Sequence, residues 1–213
     1  MSTLAIDAAG PRVGIAVLAE DGSVLVKLFA PARPGLIETL PTLLAQAVEN
    51  RQITRVAVTI GPGSFTGLRT AISLAQGYAA AANLPLSGVT VAEAFRAAFP
   101  ILHRPLWVAI RARRDRIFLL REDLAEAYPD ATIPRTKTPV ALAGDAANEV
   151  AARLAAAGTD VMLTNARILD PVWVAQAALS RLAANLPPHP VQPLYIDPPE
   201  AKLPAAGLRP PPA

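Results

Sequence analysis

The feature that most constrains the fold is a strand, a glycine-rich turn and a long helix that follow one another between residues 56 and 82. Val56–Ile60 contains only apolar or β-branched residues, which is typical of a strand that is buried on both faces. Gly61-Pro62-Gly63 predicts a sharp turn, because glycine tolerates positive φ and proline fixes its own φ. Ser64 or Thr66 can then cap a helix. This unit indicates an α/β protein.

The helix after the turn is apolar on two faces, which predicts burial on two sides. One side can pack on the sheet of the same chain, and we expect the other side to contact a second chain. The alternative is that both faces are simply core. With a preceding helix that starts near residue 36, the predicted contact surface comprises Ile37, Leu40, Leu44, Phe65, Leu68, Arg69, Ile72, Ala75, Gln76 and Ala79.

The glycine-rich turn has two interpretations. A turn of this kind before a helix can bind an anion, because free N–H groups and the helix dipole favour negative charge there. Gly61, Gly63 and Ser64, together with Asp7, are therefore candidate anion or nucleotide contacts. The turn lacks the Lys-Ser/Thr pair of a Walker A loop, and Arg69 is the only cation nearby. The second interpretation is a tight turn that lets the helix and the strand pack closely.

Composition excludes several classes of protein. The chain has no cysteine and two distant histidines, His103 and His189, so neither disulfides nor a thiolate or paired-imidazole metal site is expected. No apolar run approaches the roughly 20 residues that span a bilayer, and no signal peptide is evident, so a cytoplasmic location is expected. The formal net charge of +3 suits work near RNA but not a stand-alone nucleic-acid binder.

The pattern along the chain repeats. Residues 1–103 have the order βββαβαβα, with Pro41 either kinking the first helix or marking its true start. Residues 104–203 start again with a strand, a turn and a returning strand, and Ile110-Arg111-Ala112 stands where Ile6-Asp7-Ala8 stands in the first half. This faint similarity suggests two halves built on one plan. The proline-rich end, 204–213, is expected to be disordered.

Several of these segments resemble the TsaB family, a bacterial group involved in making threonylcarbamoyladenosine in tRNA. Leu4–Asp7 looks like the family's opening strand, and residues 61–69, GPGSFTGLR, are similar to its signature, with Ala75-Gln76-Gly77 following in the helix. Pro193-Leu194-Tyr195 with Ala201-Lys202 resembles the family's C-terminal segment. The resemblance implies an actin-like fold, of the acetate kinase, Hsp70 and actin type, with two similar subdomains that each have a mixed sheet flanked by helices.

The same resemblance implies a function. TsaB-type chains are non-catalytic paralogues of TsaD, the subunit that transfers the threonylcarbamoyl group to the adenosine next to the anticodon. The resemblance implies that this chain activates TsaD through its two N-terminal helices and can pair with itself. A TsaE-type ATPase and tRNA would join through the complex. ATP or ADP is expected, if anywhere, at the level of the complex, and no cofactor, metal or catalytic residue is assigned to this chain alone.

A small-molecule phosphotransferase or ATPase of the same fold is the alternative function. Such enzymes need a carboxylate near each of two phosphate-binding hairpins. Asp7 could supply the first, or it could cap a turn by accepting backbone N–H groups. Relatives commonly read Asp-Ala-Arg in the second hairpin, where this chain has Arg111. The cluster of Arg111, Arg113, Arg114 and Arg116 could contact tRNA phosphate, or it could be a solvated turn paired with Asp115 and Glu122.

Overall fold

The computed structural model describes most of the chain. It describes residues 2–32, 35–112, 116–121, 124–129 and 132–196, and for residues 36 and 37 it describes the backbone alone. The side chain of Ile37, the arginines Arg113 and Arg114 and the tail at 204–213 therefore lie outside the described part of the chain, and the predictions made for them are not tested.

The first sheet has the strand order β3-β2-β1-β4-β5. Its first three strands form an antiparallel meander, and β4 and β5 then run parallel to β1. Every residue of β1 is buried, as expected for a central strand that is covered on both faces. The strands are β1 (Ser2–Asp7), β2 (Arg12–Ala19), β3 (Val24–Pro31), β4 (Arg55–Gly61) and β5 (Leu86–Thr90).

The second sheet, with the order β10-β9-β6-β7-β8, follows the same plan. Strands β6, β7 and β8 form an antiparallel meander, and β9 and β10 continue it as parallel strands. The internal repeat suggested by the sequence is thus present in the topology. The strands are β6 (Leu106–Arg111), β7 (Arg116–Arg121), β8 (Leu124–Pro129), β9 (Val140–Ala143) and β10 (Val161–Leu163).

The described part of the chain has five helices, of which the first four connect strands and the fifth follows β10. Helix α2 is capped by Ser64, whose hydroxyl accepts the Gly67 N–H at 3.2 Å, and α5 is capped by Asp170 with a proline at its first position. Pro41 lies inside α1, so it does not mark the start of that helix. The helices are α1 (Leu36–Val48), α2 (Phe65–Ala81), α3 (Val91–Ala97), α4 (Ala147–Ala156) and α5 (Pro171–Ala183).

The elements pack in five layers. Helices α1 and α2 cover the outer face of the first sheet, where they share one apolar core with side chains such as Leu4 and Ile6. Helices α3 and α5 lie between the two sheets, where Ala5 and Val108 from opposite sheets join a second core. Helix α4 covers the far face of the second sheet. The two-subdomain α/β fold is confirmed, and α1 and α2 form its outermost layer on one side.

One helix does not follow the division of the sequence at residue 103. Helix α5 comes from the second half of the chain but packs against β1, β2 and α3 of the first half, and Lys27 on β3 contacts its cap Asp170 at 3.0 Å.

Strand β8 was not predicted. Its sequence, LAEAYP, lacks the β-branched residues that favour strands, so its conformation depends on pairing with β7.

We expect Leu68→Ala to lower the free energy of unfolding by about 2–5 kcal/mol, because Leu68 is fully buried and its truncation leaves a cavity. Urea denaturation followed by circular dichroism measures this change. The control is Leu182→Ala on α5, which is 55% exposed and should change the free energy by less than about 0.5 kcal/mol. Equal effects of the two substitutions would contradict this description of the core.

Candidate functional site

The turn before α2 is held against the first hairpin by its backbone. The Ser64 N–H donates to the Ala9 carbonyl at 2.8 Å. A Cβ atom at Gly63 would collide with the Ala9 carbonyl, and one at Gly67 would collide with the Ala8 carbonyl. Glycine is therefore needed here for a close approach of backbone to backbone. These contacts support the interpretation of a packing turn, and they use an N–H group that an anion would need.

Asp7 ends strand β1 and is 1% exposed. Its Oδ1 accepts the N–H of Ala9 at 3.0 Å, which is the turn-capping contact considered from the sequence. Burial raises the pKa of Asp7 from 3.8 to about 6, although the Ala9 N–H and neighbouring Thr59 and Arg12 act in the opposite direction. At neutral pH the carboxylate is therefore ionised at a cost, a feature that is more frequent at functional sites than elsewhere.

The second hairpin places a cation where the first has its carboxylate. Arg111 ends β6, and its guanidinium forms an ion pair with Glu149 on α4. Its backbone N–H donates to the Asp145 carboxylate at 2.8 Å. Burial raises the pKa of Asp145, while the contacts with Arg111 lower it. Among the described residues no cluster of three or more histidine or acidic side chains forms that could hold a metal ion.

A small cavity of about 30 Å³, open to solvent, lies between the two hairpins, and it is lined by residues that include Pro62, Phe95, Asp145 and Arg167. This volume holds about one water molecule, whereas sites for drug-sized ligands and cofactors occupy about 300–1,000 Å³.

The structure separates the predicted contact surface into two sets. Phe65, Arg69 and Gln76 are exposed on α2 and remain candidates for contact with a partner. The others with described side chains lie in the chain's own core. This corrects the residue assignment, because the apolar stripe that we expected to face a partner packs on the first sheet. The buried residues are Leu40, Leu44, Leu68, Ile72, Ala75 and Ala79.

The exposed side of α2 carries a ridge of residues spaced by four. Phe65 begins the ridge, and this residue is 46% exposed. Arg69, Ser73, Gly77 and Ala81 continue it, all exposed. Residues at i and i+4 form the ridges by which helices pack against one another, and small residues in a ridge allow a close approach. A helix of a second chain can therefore pack closely along α2.

A segment near the C-terminus lies across the start of α2, and sequence periodicity gave no signal for this contact. We call residues 187–196 the strap. The Leu194 N–H donates to the Ile60 carbonyl at 2.7 Å, and the Gln76 amide donates to the Val191 carbonyl at 3.0 Å. The Arg69 Nε donates to the Tyr195 hydroxyl at 2.9 Å. The two sequence segments that resemble the TsaB signatures, residues 61–69 and 193–195, therefore meet in space.

We expect Asp7→Asn to raise the free energy of unfolding at pH 7.5 by about 1–3 kcal/mol, because asparagine keeps the oxygen that accepts the Ala9 N–H but carries no buried charge. Since the folded pKa lies above the unfolded one, the contribution of Asp7 to stability is fully present below about pH 3.8 and is lost as pH rises through about 6. Thermal unfolding at both ends of this range tests the prediction. Destabilisation by Asp7→Asn at pH 7.5 would show instead that the carboxylate stabilises the fold.

The chain was compared with known proteins. Residues 35–167, more than half of the chain, match the family model described as TsaD, tRNA N6-adenosine threonylcarbamoyltransferase. It is 30% identical over 101 residues to the tRNA threonylcarbamoyladenosine biosynthesis protein TsaB of Bacillus subtilis, covering 46% of this chain and 44% of that protein. It is 37% identical over 94 residues to TsaB of Escherichia coli, covering 42% of this chain and 40% of that protein.

The comparison with solved structures concerns the fold. A crystal structure described as an uncharacterized protein with similarity to peptidase YeaZ from Pseudomonas aeruginosa superposes with a TM-score of 0.73 at 19% identity, covering 92% of this chain and 99% of that one. The matched region covers less than half of the length of each of the two curated relatives. The chain belongs to the family whose model is described as TsaD, tRNA N6-adenosine threonylcarbamoyltransferase.

Proposed function

We propose that this chain is an accessory subunit for the synthesis of threonylcarbamoyladenosine in tRNA, and that it acts by binding and activating a TsaD-type catalytic subunit. The names of the TsaB relatives support the pathway. The proposed place of action is the cytoplasm, and no helix in the described part of the chain is both long enough and apolar enough to cross a membrane. A TsaE-type ATPase, tRNA and a second copy of the chain are further proposed partners of the complex.

The exposed ridge of α2 is the observation that carries this proposal. The first two residues of the ridge, Phe65 and Arg69, are aromatic and cationic. The remaining three, Ser73, Gly77 and Ala81, are small residues. Gly77 has open space around the position that a Cβ atom would take, so this part of the ridge is not packed against the chain itself. A close helix–helix contact along this ridge would join α2 to the TsaD-type subunit.

The cleft supports an accessory role rather than catalysis. It has room for about one water molecule, and the second hairpin carries the Arg111–Glu149 ion pair where a magnesium-binding enzyme needs a free carboxylate. The alternative function, a phosphotransferase or ATPase, gains no support from this arrangement. Arg111, Arg113, Arg114 and Arg116 stay proposed tRNA contacts within the complex.

We expect Gly77→Leu to abolish the activation of a TsaD-type subunit in a reconstituted tRNA modification assay. The leucine side chain would hold the partner helix away from α2. Replacing glycine within a helix also stabilises the helix by up to about 1 kcal/mol, so the loss would not result from unfolding of this chain. The assay compares the complete mixture, the mixture without this chain and the mixture with Gly77→Leu, with modified adenosine as the readout.

Ala155→Leu is the matched control, because Ala155 is exposed on α4, far from α2 in the layer order. This variant should support full modification. Modification that proceeds equally well without the chain would reject the accessory role. Full activity of Gly77→Leu would keep that role possible but would reject the α2 ridge as the contact surface.

A further inference from the structure

Arg69 is held in one orientation by two aromatic side chains. Its guanidinium carbon lies 3.8 Å from the centre of the Phe65 ring, and its Nε donates to the Tyr195 hydroxyl at 2.9 Å. The rings of Phe65 and Tyr195 are stacked with centroids 5.6 Å apart and an angle of 29° between their planes. Arginine ordinarily loses much side-chain entropy on binding. Here part of that loss is already incurred in the free chain.

The strap holds Tyr195 in place next to Phe65 and Arg69. Leu194 is hydrogen-bonded to the Ile60 carbonyl, at the end of β4, and places Tyr195 next to the first turn of α2. Gly88 and His189 form a bridge, and His189 contacts Glu93 at 2.9 Å. The position of Tyr195 is therefore set by contacts along the length of the strap, and Leu194 and Tyr195 add exposed apolar surface beside Phe65.

The two terminal nitrogen atoms of the Arg69 guanidinium have no hydrogen-bond acceptor among the described residues; the one described bond of this side chain uses Nε. The first turn of α2 contains no acidic residue, so the positive end of the helix dipole adds to the charge of Arg69. A guanidinium that presents two parallel N–H groups matches a carboxylate, which can accept both hydrogen bonds. The cluster is therefore complementary to an aspartate or glutamate side chain.

We propose that Arg69, oriented by Phe65 and Tyr195, binds a carboxylate of the TsaD-type subunit, so that the partner surface includes the strap as well as α2. This inference rests on the proposed function. The partner is argued from continuity, because Phe65 and Arg69 are the first two members of the α2 ridge that is proposed to pack against that subunit. A carboxylate on the partner would fix the register of the two helices, as charged pairs at an interface do.

The geometry favours a protein over RNA at this site. The cluster carries one cation, Arg69, whereas binding to an RNA backbone uses several cations. Tyrosine and arginine are also the residues that most often dominate protein interfaces.

The experiment measures the dissociation constant of the purified full-length chain with the TsaD-type subunit by titration calorimetry. Arg69→Met should weaken binding by about 10-fold or more, because it removes a charge-assisted pair. Tyr195→Phe keeps the ring stack but loses the hydroxyl that orients Arg69, and it should weaken binding by about 3-fold. Added NaCl should weaken binding of the unaltered chain more than binding of Arg69→Met.

Arg96→Met is the matched control, because Arg96 is an exposed arginine on α3 that is not part of the cluster. It should leave binding unchanged, and equal melting temperatures of all variants would exclude unfolding. Unchanged affinity of both Arg69→Met and Tyr195→Phe, with affinity lost in Gly77→Leu, would overturn this inference and leave the proposed function standing. Failure of the unaltered chain to bind would overturn both. Arg69→Met could instead keep its affinity for the TsaD-type subunit and lose only self-association or only tRNA binding. The cluster would then bind a second copy of the chain or tRNA, and this inference would be overturned.

Discussion

The close approach of the glycine-rich turn to the first hairpin is the contact on which the rest of the structure depends. Because Gly63 and Gly67 have no side chains, their backbone lies directly against the carbonyl groups of Ala8 and Ala9. This contact fixes where α2 begins. Its apolar side then falls on the first sheet, and its ridge of small residues falls on the outer surface. The same contact uses the Ser64 N–H group, which is one that a phosphate-binding turn would offer to its ligand.

The two hairpins of this actin-like fold carry different groups at the ends of their first strands. Asp7 retains a carboxylate at the end of β1, but it is buried and accepts a backbone N–H, with a pKa raised to about 6. The equivalent end of β6 carries Arg111, which pairs with Glu149. The cavity between the hairpins holds about one water.

The sequence predicted the order of all eight elements in the first half, because buried strands and amphipathic helices leave clear periodicities there. It did not predict β8, whose residues have little strand preference of their own. It also placed on one contact surface side chains that the structure divides between the core and the exposed side of α2. Helical periodicity shows that Leu68 and Ile72 share a face, but it does not show which layer covers that face. The strap could not be derived from local pattern, because its bonds to Ile60 and Arg69 join residues more than 120 positions apart.

The chain contains no cysteine, so a single introduced thiol reports on one position. The most direct test of the account is the rate at which a maleimide reacts with Gly77→Cys, with and without saturating TsaD-type subunit, followed by the mass of this chain. We expect the subunit to slow the reaction at Gly77→Cys at least about 10-fold and to leave Ala155→Cys on α4 unchanged, because a buried thiol is shielded from the reagent. An equal rate at Gly77→Cys in the presence of bound subunit would show that the outer ridge of α2 is not the contact surface.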